Sequence, residues 1–222
     1  MGVKSVINTD RLYWLGRYCE RVYTTLNLFS KSFDKLIEQG PGNHAEFCRS
    51  LEIPDIYSDK DDFIGRYAFS AEDPNSIFSN LLRAYDNAIE LRDEIGSDCL
   101  SYVQLAVYEM ENAQKSDAPV LYFQKVKDVL LAFWGCVDDQ IDDSNTRNIL
   151  RTGKRVERLD LYARLKKEHS SLKREITRLS ERIKRTNLLY SEDRLSRLAS
   201  LINEDEPDYE NIVRVVESIL EQ

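Results

Sequence analysis

Apolar residues recur at alternating steps of three and four along most of the chain, which is the spacing of one face of an α-helix. The first line of such residues predicts a helix of about seven turns. This helix should begin at about residue 10, with Thr9 or Asp10 as the N-cap, and end at Gly40. Its apolar positions are Leu12, Leu15, Cys19, Val22, Leu26, Phe29, Phe33 and Leu36.

Further helices follow from the same spacing, and no stretch alternates with the period of two that marks a strand. Asp73 and Pro74 should start one helix, Gly96 should end it, and Ser97 should cap the next. The remaining predicted helices are 44–51, 61–69, one through Phe123 to Val137, one from Ser144 or Asn145, a charged one over 166–190, one capped by Ser191, and 209–220. The aromatic residues between 43 and 74 indicate that this less regular stretch packs against the core.

We therefore predict an all-α helical bundle. Its core should span residues 1–165, and residues 166–222 should form a charged helical extension that packs on the core or on a second subunit. The predicted helix over 166–190 has a narrow apolar seam suited to one partner helix. The C-terminal helices could cover this seam, or part of it could form a homodimer.

One short motif occurs twice in the predicted helices. Gly16 stands four residues before Glu20 and Arg21, and Gly153 stands four residues before Glu157 and Arg158. A glycine inside a helix costs about 1 kcal/mol relative to alanine. A chain that accepts this cost at two matching places is expected to need close approach of another backbone there.

Two interpretations of the repeat remain open. In the first, the motif helices cross at the glycines, and the Glu and Arg side chains form structural ion pairs. In the second, the two motifs line a cleft that binds a substrate. Either way we expect Glu20 and Glu157 to be buried and each to pair with an arginine, since bidentate pairing makes such burial tolerable. The candidate cleft residues are Tyr13, Trp14, Arg17, Glu20, Arg21, Arg92, Glu157 and Arg158.

Composition narrows the classes of function. The chain has 222 residues, 42% of them hydrophobic, with a formal net charge of −8. That charge argues against general binding to nucleic acid or anionic membranes. No apolar run approaches the ~20 residues that span a bilayer, and the N-terminal sequence lacks the apolar core of a signal peptide, so we expect a cytoplasmic protein. The four cysteines and two histidines lack the spacing of a disulfide or zinc framework.

A run of aspartates suggests metal binding as an alternative function. Asp138, Asp139, Asp142 and Asp143 form two pairs at helical spacing, and a similar run binds magnesium and diphosphate in helical isoprenoid synthases. A solvated helix end is the more common meaning of such a run, and no second acidic motif accompanies it. No nucleophile motif or phosphate-binding glycine loop is present in the sequence. The sequence does not indicate which cofactor, if any, the protein binds.

Several motifs together resemble the bacterial alpha-E domain family. They are Leu12 to Arg21, Asn75 to Ile77, Asn87-Ala88 with Arg92-Asp93, and Gly153 to Arg158. The similar regions cover roughly residues 10–30, 73–104 and 133–165. Where the family's middle motif has Ala-Arg-Glu-Asn-Ala-Arg, this chain has Ala84 to Ile89 without either arginine.

The resemblance implies an all-helical fold and a genomic association with circularly permuted ATP-grasp enzymes, transglutaminase-like proteases and a proteasome-like Ntn hydrolase. We therefore expect a non-catalytic partner or scaffold protein of a peptide ligation or processing system. The alternative is an enzyme that acts on a carboxylate- or peptide-type substrate in the Glu-Arg cleft, or a metal-dependent enzyme that uses the acidic run.

Overall fold

The computed structural model describes residues 6–38 and 43–220. These residues form ten α-helices and no strand, which confirms the all-α prediction. None of the helices in the described ranges has the length and apolar character needed to cross a membrane. The helices are α1 (Val6–Glu38), α2 (Asn43–Leu51), α3 (Lys60–Phe69), α4 (Ile77–Glu90), α5 (Arg92–Gln114), α6 (Pro119–Gln140), α7 (Ser144–Arg164), α8 (His169–Ile183), α9 (Glu192–Asn203) and α10 (Tyr209–Glu217).

The chain divides into two compact units, and the division differs from the predicted boundary at residue 165. The first unit contains the chain up to Arg17 and everything from Asp143 onward, and the second runs from Tyr18 to Asp142. The boundary therefore falls inside α1. In the first unit, α7 packs against α8 and α10, and α9 packs against the same two helices. The helices of the predicted extension are thus an integral part of the first unit.

Two helix starts differ from the predictions. Helix α1 begins at Val6, so Thr9 and Asp10 lie inside it and do not cap it. Helix α4 begins one turn later than predicted, because the Ser76 hydroxyl caps it by accepting a hydrogen bond from the amide of Ser79. Asp73 accepts the Tyr57 hydroxyl instead, at 2.7 Å.

Other boundaries agree more closely with the sequence. Helix α7 begins at Ser144, and Ser191 caps α9, as predicted. Gly96 does interrupt the helical path with φ 78°, but α4 has already ended at Glu90. Helix α8 is shorter at both ends than the predicted 166–190. The predicted stop at Gly40 lies outside the described residues.

The second unit is built around Phe29 of α1. The Phe29 ring contacts those of Phe47, Phe63, Tyr67 and Phe123 at centroid distances of 5.8–6.1 Å. Offset and edge-to-face contacts at such distances are the favoured geometry of aromatic pairs. Phe63 and Tyr67 are at most 1% exposed. The prediction that the aromatic stretch packs against the core is confirmed.

The first unit buries the whole apolar seam of α8. Leu172, Ile176, Leu179 and Ile183 are each at most 4% exposed in a single chain. Ile212 and Val216 of α10 are at most 1% exposed. The seam therefore offers no uncovered face to a second subunit, and a homodimer, if one forms, needs another surface.

Candidate functional site at the crossing of the motif helices

Helices α1 and α7 cross at their two motif glycines. A Cβ atom placed on Gly16 would overlap the carbonyl oxygen of Leu150, and one placed on Gly153 would overlap the carbonyl oxygen of Tyr13. Each glycine thus lies against the backbone of the helical turn that precedes the other glycine. No larger residue fits at either position unless the helices separate, and this close approach accounts for the repeated glycine.

The crossing is reciprocal in detail. The Gly16 Cβ position lies 3.2 Å from the amide nitrogen of Lys154, and the Gly153 position lies 3.2 Å from that of Arg17. The sequence offset that relates the two glycines also relates Lys154 to Arg17. Motif helices related by a local two-fold axis would make such contacts, so the sequence repeat corresponds to a repeat in the packing.

A buried ion pair connects the same two helices beside the crossing: it joins Arg17, the residue after Gly16, to Glu157, one turn beyond Gly153. Arg17 Nε donates to Glu157 Oε2 at 2.6 Å. The Glu157 side chain is 0% exposed and that of Arg17 is 11% exposed. Burial of Glu157 and its pairing with an arginine were both predicted, and the structure confirms both.

Two aromatic rings cover the Arg17 guanidinium group. Its central carbon lies 4.9 Å from the Trp14 ring centroid and 5.9 Å from that of Tyr13. The two rings meet edge to face at 5.9 Å. Cation–π contacts of this kind stabilise a desolvated guanidinium group by about 2 kcal/mol. The predicted residues Tyr13, Trp14, Arg17 and Glu157 therefore do come together, as a packed cluster.

The electrostatics of this cluster keep Arg17 charged. Burial opposes the charged guanidinium, but Glu157, Tyr13 and Asp160 outweigh that effect, and the pKa of Arg17 is raised above its ordinary value. Burial also raises the pKa of the Tyr13 hydroxyl, with Arg17 acting in the opposite direction. The phenol is therefore neutral at physiological pH and the guanidinium is charged.

A second buried carboxylate lies against α7 from α8. Glu175 is 1% exposed, and its carboxylate accepts from Arg155 at 2.6 Å and from Arg178 at 3.1 Å. Arg158 and Arg174 lie 3.8 and 3.9 Å from the same carboxylate. Burial lowers the pKa of Arg155, Glu175 opposes that shift, and Arg158 and Arg178 add to it.

The two charged residues of the second motif therefore contact different helices. Glu157 pairs with Arg17 of α1, whereas Arg158 approaches Glu175 of α8. Consecutive residues on a helix differ in direction by about 100°, so a Glu-Arg pair can contact two neighbours at once. The motif attaches α7 to both.

The other predicted cleft residues belong to the second unit. Glu20 is 0% exposed, as predicted, and accepts the Thr24 hydroxyl at 2.9 Å. Arg21 is partly buried. Arg92 is exposed, and its Nε donates to the Ser97 hydroxyl at 3.2 Å. The prediction that Arg92 lines a buried cleft was wrong, because Arg92 lies on a solvent-facing side of the chain, where Ile89 is also 44% exposed.

The acidic run is divided between two elements. Asp138 and Asp139 are exposed at the end of α6, whereas Asp143 caps α7 by accepting from the Thr146 amide at 3.1 Å. Asp139 accepts from Gln140 at 2.6 Å. Among residues 6–38 and 43–220, no three His, Cys, Asp or Glu side chains are placed to hold one metal ion.

Sequence reasoning missed two buried acids of the site. Asp160 accepts from Arg164 at 3.1 Å and is 4% exposed, and Glu175 anchors the arginine cluster. Both could have been found from their spacing. Asp160 follows Glu157 by three positions, and Glu175 follows the seam residue Leu172 by three, so each shares a helix face with a residue predicted to be buried. Half of the fourteen buried polar or charged residues found in the described part of the chain lie on α7.

Comparison with known proteins identifies the family to which this helix motif belongs. A family model described as a predicted alpha-helical domain with a conserved ER motif matches residues 8–215, nearly the whole chain. The match includes α8, α9 and most of α10, which the sequence had suggested were an addition to the domain. No curated protein and no solved structure matches the chain.

Proposed function

The chain belongs to the Alpha-E family, and we propose that it is a non-catalytic helical partner or scaffold protein of a peptide ligation or processing system. Its partner in this proposal is an ATP-grasp ligase or a transglutaminase-like protein. The observation that supports the proposal most directly is that the motif carboxylate is buried and paired with an arginine. Glu157 is 0% exposed and pairs with Arg17 at 2.6 Å.

This geometry suits a structural role better than acid-base catalysis. A general acid or base must come within hydrogen-bond reach of the proton that it transfers. Glu157 is enclosed, its oxygen is occupied by Arg17, and the glycine crossing fixes the two helices against each other. The motif thus makes a rigid framework, and contacts with a partner would be made by other surfaces.

One surface in the second unit favours protein binding. Nine large apolar side chains are exposed among the described residues, and five of them lie on the α5–α6 hairpin. These five are Leu105, Tyr108, Val120, Leu121 and Leu131. Large contiguous apolar patches mark interaction surfaces, and we infer that these five side chains contribute to one. We assign partner binding to this hairpin.

Co-purification tests the proposal. The chain is expressed with an ATP-grasp ligase or transglutaminase-like protein that its gene neighbourhood is found to encode, and the complex is isolated through a tag on that partner. We expect the chain to be retained, and a Leu105→Glu/Leu131→Glu variant to be lost. The matched control is Leu189→Glu, which alters an apolar residue that is 73% exposed in the other unit and should be retained. Failure of the unaltered chain to bind any such neighbour would contradict the proposal.

The Glu157→Gln variant distinguishes the structural role from the enzyme alternative. Glu157→Gln removes a charge but keeps the shape of the side chain. If Glu157 is catalytic, this variant should lose activity in the reconstituted system and keep the melting temperature of the parent chain. If Glu157 is structural, the melting temperature should fall while the properly folded fraction still binds its partner.

A further inference from the structure

Two of the four cysteines face each other between α5 and α6. The Sγ atoms of Cys99 and Cys136 are 2.8 Å apart, and both thiols are free. Cys99 is 0% exposed and Cys136 is 8% exposed. A disulfide bond needs an Sγ–Sγ distance of about 2.05 Å, so a shift of less than about 1 Å would bring the two atoms to bonding distance.

A cavity leads from solvent to this pair. It has a volume of about 490 Å3 and lies between the same two helices. Cys136 lines it, while Cys99 is not among its lining residues. Asp98 and Asp139 also line it, and both are exposed to solvent. No basic side chain is among its lining residues, so the cavity is acidic.

We propose that Cys99 and Cys136 form a reversible redox site, which small cationic or neutral disulfides oxidise through this cavity. The site lies on the hairpin to which partner binding is assigned, but it depends neither on that role nor on the motif crossing. Its product is an intramolecular disulfide that links α5 to α6.

The reaction is an ordinary thiol–disulfide exchange in two steps. In the first, the Cys136 thiol loses its proton, and its sulfur attacks one sulfur of the disulfide R–S–S–R, forming a mixed disulfide and releasing one RSH. In the second, Cys99 loses its proton and attacks the Cys136 sulfur, which releases the other RSH. The protein loses two protons and two electrons, which together make two hydrogen atoms, and the small disulfide gains them.

Position assigns the two roles. Cys136 meets the oxidant because it lines the cavity, and Cys99 resolves the mixed disulfide because it lies behind Cys136. Burial, together with the hydrogen bond to Cys136, raises the pKa of the Cys99 thiol. The second step should therefore accelerate as the pH rises, since the thiolate is the attacking species.

The carboxylates that line the cavity should select oxidants by their charge. Asp98 and Asp139 attract the ammonium groups of cystamine and repel glutathione disulfide, which carries a net negative charge. Charges a few ångströms apart near a protein surface change the local concentration of a charged oxidant severalfold, and salt screens this effect. The neutral 2-hydroxyethyl disulfide provides the reference for this comparison.

Mass spectrometry of the full-length protein tests the site. After treatment with cystamine at neutral pH, we expect the intact mass to fall by two hydrogen atoms, and peptide mapping to join Cys99 to Cys136. Dithiothreitol should reverse the change. Cys48→Ser is the control and should behave as the parent chain does, whereas Cys136→Ser should not form the internal bond. A folded parent chain that forms no Cys99–Cys136 disulfide would overturn the proposal.

The charge effect is measured as a ratio of rates. The rate with cystamine divided by the rate with 2-hydroxyethyl disulfide is determined for the parent chain and for Asp98→Asn/Asp139→Asn. Comparison between the two proteins removes the intrinsic difference in reactivity between the oxidants. We expect the ratio to fall roughly threefold to tenfold in the variant. An unchanged ratio would overturn the assignment of these carboxylates as the selecting groups.

Discussion

Gly16 and Gly153 each occupy the place where the other helix brings its backbone closest. The Gly16 Cβ position falls on the carbonyl oxygen of Leu150, and the Gly153 position falls on that of Tyr13. The ion pair beside this crossing joins Arg17, which follows Gly16 directly, to Glu157, which lies one turn beyond Gly153. The two parts of the motif thus act together, because the glycines permit the close approach and the ion pair holds it.

The crossing predicts a large effect of a single added methyl group. Gly153→Ala should destabilise the protein by about 1–3 kcal/mol, the usual cost of overpacking, although alanine is the better helix former. The reason is that the added Cβ meets a backbone carbonyl, which cannot rotate away as a side chain can. Urea denaturation followed by circular dichroism measures the change. Gly16→Ala should behave in the same way.

Gly65 supplies the matched control. It also lies inside a helix, but a Cβ built on it meets no atom within 4 Å. Gly65→Ala should therefore stabilise the protein by about 0.5–1 kcal/mol through helix propensity alone. Equal effects of the alanine substitution at Gly65 and Gly153 would show that the crossing does not require glycine.

The four arginines around Glu175 should differ in energetic importance. Arg155 bonds the carboxylate at 2.6 Å with its side chain 14% exposed, whereas Arg174 lies 3.9 Å away and is 52% exposed. Arg155→Gln should cost about 2 kcal/mol or more, and Arg174→Gln less than about 1 kcal/mol. Chemical denaturation of the two variants gives the comparison. A larger loss for Arg174→Gln would refute this assignment.

Stability should decline at alkaline pH because of buried tyrosines. Burial raises the pKa of Tyr13, Tyr57 and Tyr67 above the usual value, and for Tyr57 the hydrogen bond to Asp73 adds to the shift. The neutral phenol is thus favoured in the folded state, while the unfolded chain ionises at about pH 10. Their contribution is fully present below about pH 10 and is lost as the pH rises further.

Tyr57→Phe tests one of these groups. The variant should lose about 1 kcal/mol at neutral pH, because the Asp73 carboxylate loses a hydrogen bond. Above about pH 10 the free energy of unfolding of the variant should fall less steeply than that of the parent chain, by up to about 1.4 kcal/mol per pH unit. Parallel curves would mean that Tyr57 makes no contribution to the alkaline loss.

The acidic run contains one residue with a structural task. Asp143→Ala removes the cap of α7 and should cost about 1 kcal/mol. Asp139→Ala alters an exposed residue of the same run and should change stability by less than about 0.5 kcal/mol. Melting temperatures of the two variants, measured with and without magnesium, separate capping from metal binding. A rise in melting temperature with magnesium that depends on Asp139 would favour the metal interpretation.

The sequence was most informative where local spacing determines the outcome. The apolar seams, the α7 start at Ser144 and the need for close contact at Gly16 and Gly153 all follow from the helical period and from residue size. Burial of Glu157 could be predicted as well, because it shares a helix face with Gly153. These features depend on near neighbours in the chain.

The failures involved long-range packing. Arg92 was assigned to the cleft because it follows an apolar line along the helix, but Ile89 in that line is 44% exposed, and spacing alone does not decide which of two neighbouring apolar lines is buried. Glu175 was overlooked because its role as a buried ion-pair partner depends on Arg155, which lies on another helix. The charged composition after residue 166 suggested an extension packed on the core or on a second subunit; α8 and α10 do pack on α7, but the family match includes these helices in the domain itself.

The central claim is that the Glu-Arg motif is a structural clamp. A double-mutant cycle with Arg17→Met and Glu157→Leu tests it most directly, with the free energy of unfolding as the measured quantity. Each single variant removes the opposite charge from one side of this buried ion pair and should lose about 3–5 kcal/mol, while the double variant should recover most of that loss. Single variants that unfold like the parent chain, with no coupling between the two positions, would contradict the account.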